Sequence, residues 1–135
     1  MIDVQGLHHV SLPVTNLERS RAFYRDVLAL REIERPPFDF AGAWFRVGSG
    51  QLHLIVHERP TLRTRGIDSR DVHFALRVRS YRETRARLAA LGYAGDAADE
   101  IRRLRDNPQG RAGFPQLFIL DPDRHVIELN AERLD

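Results

Sequence analysis

Two stretches of this chain share a pattern that keeps one histidine in register. Leu7–Val14 alternates apolar and polar residues around His9, and Val72–Val78 repeats the alternation around His73, 64 residues later. Alternation with a period of two predicts a strand with one buried face. A strand that is repeated together with its histidine predicts a repeated structural module and a repeated site.

Each of these strands opens the same order of elements. The first module reads as a strand, a helix that starts at the capping-box pattern Thr15–Glu18 and ends near Leu30, and then three strands. The second module reads the same way, with a charged strand over Glu100–Arg105 and a loop over Asp106–Pro115. We therefore predict an α+β fold of two βαβββ modules.

The length of the chain favours one shared core. Two modules of about 60 residues each would be marginal alone, so we expect a single domain over the 135 residues. Module one is predicted over 7–57 and module two over 71–131. Residues 58–70 are polar and lack an apolar period, which is typical of a linker.

Composition narrows the classes of function. All 21 basic residues are arginines, interleaved with 19 acids, and this spread does not predict a nucleic-acid partner. The chain has no cysteine, which leaves histidine, carboxylate and water as ligands for any metal. It shows neither an apolar stretch of membrane-spanning length nor the pattern of a signal peptide, so we expect a cytoplasmic protein without a membrane partner.

Four side chains that could bind a metal fall on predicted strands between apolar neighbours. They are His9, His53, His73 and Glu128. Aligning Leu54 with Leu129 places His53 on Glu128. The set therefore forms two pairs of equivalent positions, His9 with His73 and His53 with Glu128. Because buried polar groups need partners, we expect them to share one divalent metal ion, with Zn, Ni, Mn, Fe or Co as the candidates.

Three further residues are predicted to contact a small-molecule substrate. Trp44 and Arg46 share a strand face, where the guanidinium could bind a carboxylate or a phosphate. Ser11 lies on the same predicted strand face as His9. His8, next in sequence, is expected to face away from it.

Several motifs, taken in order, carry a family resemblance. They are Leu7–Val10, Leu17–Leu28, Asp71–Ala75 and Phe118–Leu129, the last with Asp121-Pro122-Asp123 and Ile127-Glu128-Leu129. Through them the chain resembles the vicinal oxygen chelate superfamily. That superfamily includes glyoxalase I, fosfomycin-resistance thiol transferases, extradiol dioxygenases and bleomycin-resistance proteins.

The resemblance implies a fold and a chemistry. It implies two βαβββ modules that pair into an incomplete barrel around a central cavity, usually in a homodimer. The ligand positions of the family match His9, His73 and Glu128, and its fourth position, a glutamate in glyoxalase I, falls on His53. The implied function is that of a metal-dependent lyase or isomerase whose metal binds two adjacent substrate oxygens. Glu128 or His53 could then act as the catalytic proton acceptor.

Two other functions are compatible with the sequence. The first is a metal-free binding protein of the bleomycin-resistance kind. The second is a small extradiol-type dioxygenase, whose iron His9, His73 and Glu128 could bind. The sequence is compatible with a site in one chain and with a site shared across a dimer.

Overall fold

The computed structural model describes residues 1–57 and 63–135. The chain divides into two compact units, Met1–Leu62 and Arg63–Asp135. Part of the predicted linker, residues 58–62, lies outside the described residues, and residues 63–72 form no strand or helix.

The first unit is a four-stranded mixed sheet with one helical segment. Its elements are β1 (His9–Val14), α1 (Leu17–Ala22) with a π-helical continuation (Phe23–Val27), β2 (Arg31–Ile33), β3 (Gly42–Val47) and β4 (Gly50–Val56). The strand order is β1-β4-β3-β2, with β1 parallel to β4 and the other pairs antiparallel. The predicted βαβββ order is confirmed for this unit.

The helix of this unit differs from its prediction at both ends. Asn16, rather than Thr15, is the N-cap, and its side chain accepts a hydrogen bond from the backbone N–H of Arg19 at 3.0 Å. The helix ends at Val27 rather than near Leu30. The reason is local, because Ala29 has a φ of 55° and a residue in that region cannot continue a right-handed helix.

The second unit repeats this arrangement. Its elements are β5 (His73–Arg77), α2 (Tyr81–Ala90), a short 3₁₀ turn (Glu100–Arg102), β6 (Arg105–Asn107), β7 (Gln116–Leu120) and β8 (Val126–Asn130). The strand order is β5-β8-β7-β6, with β5 parallel to β8. Both sheets are open, so neither closes on itself into a barrel, and the predicted α+β class is confirmed.

The predicted charged strand Glu100–Arg105 is wrong. Its first half is the 3₁₀ turn, which Asp99 caps by accepting a hydrogen bond from the backbone N–H of Ile101 at 3.1 Å. The strand β6 starts only at Arg105 and uses the first residues of the predicted loop Asp106–Pro115. A capping aspartate satisfies the free N–H groups of a turn, which here favours the turn over extended backbone.

The two sheets have the same register at the positions of interest. Ser11 of β1 pairs with His53 of β4, and Ala75 of β5 pairs with Glu128 of β8. His9 and His73 each precede the first member of their pair by two residues. The alignment made from sequence is therefore confirmed, and each histidine shares a sheet face with its diagonal partner.

Buried apolar side chains support these positions within each unit. In the first unit they include Val14, Phe23, Tyr24, Phe45, Leu52 and Leu54. In the second they include Leu88, Leu117, Ile119, Ile127 and Leu129. No helix within residues 1–57 and 63–135 is long and apolar enough to cross a membrane.

Candidate metal and substrate site

The structure brings His9 and His53 together in the first unit as part of a stack of three rings. The His9 and His53 ring centroids are 4.2 Å apart with 15° between the planes. On its other face His53 stacks on Trp44, its cross-strand partner, at 4.0 Å and 4°. His53 therefore lies between two other rings, almost parallel to both.

This parallel arrangement limits how the two histidines can bind a metal. A metal ion lies near the plane of the imidazole that binds it, about 2.0–2.1 Å from the nitrogen. An ion midway between two parallel rings 4.2 Å apart would lie about 2 Å out of each plane, as far as the whole bond length. His9 and His53 in this arrangement therefore do not fit as joint ligands of one ion.

The ring nitrogens of the two histidines are held differently. Nδ1 of His9 lies 2.8 Å from Nδ1 of His8, which leaves Nε2 of His9 as its other ring nitrogen. The prediction that His8 faces away from His9 is thus wrong, because the two rings meet edge to face at 5.1 Å. In His53 it is Nε2 that is engaged, 2.7 Å from Oε1 of Gln51, which makes Nε2 the donor.

His53 is also the more buried of these rings. Its exposed fraction is 7%, whereas His9 is exposed. Burial lowers the pKa of His53 below its ordinary value, and the nearby His9, His8 and Arg35 lower it further. The ring is therefore held in its neutral form, with Nδ1 as the nitrogen that can accept a proton.

His73 and Glu128 meet at the corresponding place in the second unit. Nε2 of His73 lies 3.3 Å from Oε2 of Glu128, whose exposed fraction is 5%. Nδ1 of His73 lies 2.8 Å from the carbonyl oxygen of Asp71, which can only accept, so Nδ1 carries a proton. Nε2 then faces the carboxylate with a lone pair or with a second proton. Two facing acceptors need a shared proton or a bound cation between them.

The other oxygen of Glu128 is held by two amides. Oε1 accepts hydrogen bonds from Nε2 of Gln116 at 3.1 Å and from Nδ2 of Asn130 at 2.9 Å. The carbonyl ends of these amides are held in turn, by Nδ2 of Asn107 at 3.1 Å and by Nε of Arg77 at 2.7 Å. Both amides are thereby oriented with their donors toward Glu128, and Oε2 is left to face His73.

The second pair fits a divalent metal better than the first. Two donors bound at about 2.1 Å with tetrahedral or octahedral angles lie roughly 3.0–3.4 Å apart, and the His73–Glu128 contact of 3.3 Å matches that spacing. A ligating histidine usually donates its other ring N–H to a carbonyl or carboxylate, as His73 does to Asp71. No group of three or more such donor side chains that could hold a metal ion occurs within residues 1–57 and 63–135.

The predicted substrate residues lie on the first sheet. Trp44 is half-buried in the ring stack, Ser11 is exposed and pairs with His53 across the ladder, and Arg46 is exposed opposite Gln51. Trp44 and Arg46 both lie on β3 of the predicted hairpin, and Ser11 joins the same sheet through the parallel pairing of β1 with β4.

Sequence reasoning missed an aromatic cluster beside Trp44. Phe38 and Phe40 are 46% and 42% exposed and stack on each other at 5.2 Å, and Phe38 lies 6.1 Å from Trp44. The Arg35 guanidinium lies 4.8 and 4.9 Å from the two phenyl centroids, and its buried Nε has no hydrogen-bond partner. The available signal was Arg35 before Pro36-Pro37 and the two phenylalanines, spaced by one residue, after them.

Sequence reasoning also missed the side-chain amides that contact Glu128. Gln116 and Asn130 stand two residues from Phe118 and Glu128 on β7 and β8, which places all four on one sheet face. A period-of-two scan along these strands would have found them.

Comparison with known proteins agrees with this fold. A family model described as the Glyoxalase/Bleomycin resistance protein/Dioxygenase superfamily matches residues 6–129. The relative "Glyoxylase I 4" of Arabidopsis thaliana is 30% identical over 132 residues, which cover 95% of this chain and 71% of that protein.

Two solved structures have the same fold. A glyoxalase family protein from Bacillus anthracis superposes with a TM-score of 0.77 at 22% identity, covering 97% of this chain and 98% of that one. The fosfomycin resistance protein FosX of Listeria monocytogenes, a Glu-to-Gln mutant complexed with Mn(II) and 1S,2S-dihydroxypropylphosphonic acid, gives 0.70 at 19% identity, covering 96% and 93%. The chain belongs to the glyoxalase, bleomycin resistance protein and dioxygenase superfamily.

Proposed function

We propose that this protein is a metal-dependent enzyme of the lyase or isomerase kind that acts on a small substrate with two adjacent oxygens. His9, His73 and Glu128 are the proposed metal donors, supplied by one chain or by the two chains of a homodimer. The observation that carries the proposal is the His73–Glu128 contact, where Nε2 and a buried carboxylate oxygen lie 3.3 Å apart, a spacing that a bound cation or a shared proton would bridge.

A bound divalent cation would polarise the two substrate oxygens and stabilise negative charge that develops on them. The protein's own side chains would supply the remaining functions. Oε2 of Glu128 is the carboxylate oxygen available for a ligand or a proton, because Oε1 is held by two amides. Neutral His53, with Nδ1 free of the Gln51 contact, is the second group that could accept a proton.

Substrate binding is proposed for the first sheet. Trp44 offers a half-buried ring face, Ser11 a hydroxyl and Arg46 an exposed guanidinium. These groups suit a planar or apolar substrate with an anionic substituent. The FosX mutant complexed with Mn(II) and a phosphonic acid supports both a divalent metal and an anionic ligand for this chain.

A metal-free binding protein is the second candidate, and the aromatic cluster favours it. Phe38 and Phe40 are large, exposed apolar rings beside a guanidinium whose Nε lacks a partner. Exposed apolar patches of this kind mark ligand-binding surfaces. On this reading the protein would bind an aromatic anion without turning it over.

One comparison tests the two candidates. Protein stripped of metal and protein loaded with Mn²⁺, Zn²⁺, Ni²⁺, Co²⁺ or Fe²⁺ would be assayed against thiol adducts of dicarbonyls, against epoxides and against catechols. The enzyme proposal expects turnover only in loaded protein and its loss in Glu128→Gln. Turnover by no loaded form, together with tight ligand binding by stripped protein, would favour the binding protein.

A further inference from the structure

We infer that His53 is not a metal ligand and is instead a positioning residue that fixes the ring of the ligand His9. The inference rests on the proposed function and assigns the role of one residue within that site. It starts from a contrast between three histidines of similar sequence context. Each precedes an apolar residue on a strand, yet their rings are held in two different ways.

His9 and His73 are held in the manner of metal-binding histidines. In both, Nδ1 has a hydrogen-bond partner, namely His8 Nδ1 at 2.8 Å and the Asp71 carbonyl at 2.8 Å. In both, Nε2 is the remaining ring nitrogen. A partner on one nitrogen directs the other toward a ligand: the Asp71 carbonyl requires the proton on Nδ1 of His73, and His9 offers Nε2 to a ligand when its Nδ1 donates to His8.

His53 is held through its other ring nitrogen and, unlike His73, is stacked on both ring faces. Its Nε2 is engaged by Gln51 at 2.7 Å, and both ring faces are covered, one by His9 and one by Trp44. Turning the His53 ring toward an ion bound by His9 would break the contact with Gln51 and both stacked contacts. A histidine that has to lose three contacts before it can ligate is better suited to hold its neighbour in place.

The stacking allows His53 to restrict the rotamers of His9. His9 is exposed on the edge strand β1, where a free side chain would rotate between several rotamers. A buried ring 4.2 Å below it removes that freedom and leaves Nε2 in a fixed direction.

Paired substitutions test the inference through metal affinity. His53→Phe keeps a flat ring between His9 and Trp44 but removes both nitrogens, and His9→Phe makes the same chemical change at the proposed ligand. We expect the dissociation constant for Mn²⁺ to stay within about 3-fold of wild type in His53→Phe. In His9→Phe it should rise at least about 100-fold, as expected for the loss of a ligand. His53→Ala, which removes the stack, should weaken binding by about 10-fold.

A spectroscopic count is independent of affinity. In the Co²⁺ form, each ligated histidine with a protonated second nitrogen gives one strongly shifted ring N–H proton signal. We expect two such signals in wild type and the same two in His53→Phe. Thermal unfolding of every variant checks that it is folded, and Gln51→Leu, which frees Nε2 of His53, should also keep both signals.

The outcomes separate this inference from the proposed function. If wild type binds Mn²⁺ and His53→Phe loses affinity as strongly as His9→Phe, or if a third shifted signal disappears in His53→Phe, His53 is a ligand and the inference is wrong while the function stands. If folded wild type binds no Mn²⁺, the proposed function fails and the inference fails with it.

Discussion

Replacing Gln116 with methionine should weaken metal binding without altering any proposed ligand. The change keeps the length of the side chain and removes the amide that donates to Oε1 of Glu128 at 3.1 Å. A hydrogen bond to a charged acceptor contributes about 1.5–3 kcal/mol. Because 1.4 kcal/mol corresponds to a factor of ten, the dissociation constant for Mn²⁺ should rise by about 10- to 100-fold, the range found for partners that orient metal ligands.

The assay is a titration of metal-stripped protein with Mn²⁺, followed by the electron paramagnetic resonance signal of the free ion. Gln109→Met is the matched control, since Gln109 lies exposed in the loop before β7 and the change is chemically the same. Asn107→Ala should give a smaller effect in the same direction, because Asn107 only orients the amide of Gln116. An affinity in Gln116→Met equal to that of Gln109→Met would refute the reasoning.

Three further predictions concern stability. Gly42→Ala should lower the free energy of unfolding by about 1–3 kcal/mol in urea titrations, because the added Cβ would lie 2.4 Å from the carbonyl oxygen of Leu54. Ala29→Gly should raise the same quantity by about 0.5–1 kcal/mol, since glycine relieves the φ of 55° at a smaller cost in unfolded-chain entropy; a loss of stability would contradict this. Asp135→Asn should destabilise the protein at pH 7 and progressively less as the pH falls below 3.8, because the hydroxyl of Ser80 and the N–H of Arg82 lower the pKa of Asp135. A group with a lowered pKa stabilises above its ordinary value of 3.8 and loses that effect as the pH falls through the lowered one, so an effect that does not shrink as the pH falls would count against the contact.

Most of the fold could be predicted because its signals are local and periodic. The two alternating strands and the hairpins closed by Gly48-Ser49-Gly50 and Asp121–Arg124 fix which residues share a sheet face. Face sharing in turn pairs His9 with His53 and His73 with Glu128. These pairs follow from the alternation of side chains between the two faces of a strand, and a change of rotamer does not alter that alternation.

The errors occur where one residue decides the outcome. The first helix stops early because Ala29 takes a left-handed conformation, and Glu100–Arg102 turns because Asp99 caps it. Neither outcome has a periodic signal, since a single backbone angle or cap decides between two conformations of similar energy.

The orientations of the histidine rings could not be predicted from the sequence either. His8 turns onto the residue next to it, and His53 lies flat between rings from β1 and β3, and both arrangements depend on side-chain rotamers. A set of metal ligands predicted only from which residues share a sheet face therefore includes every polar residue on that face. The structure divides that set into rings with Nε2 available and a ring whose faces and Nε2 are already occupied.

The most direct test of the central claim is an anomalous difference map from crystals of the protein soaked in Mn²⁺. Our account predicts one strong peak within about 2.0–2.3 Å of Nε2 of His73 and Oε2 of Glu128, with Nε2 of His9 from the same or a second chain as the third protein ligand. A fully soaked crystal with no peak at Glu128, or with a peak that contacts neither residue, would contradict it.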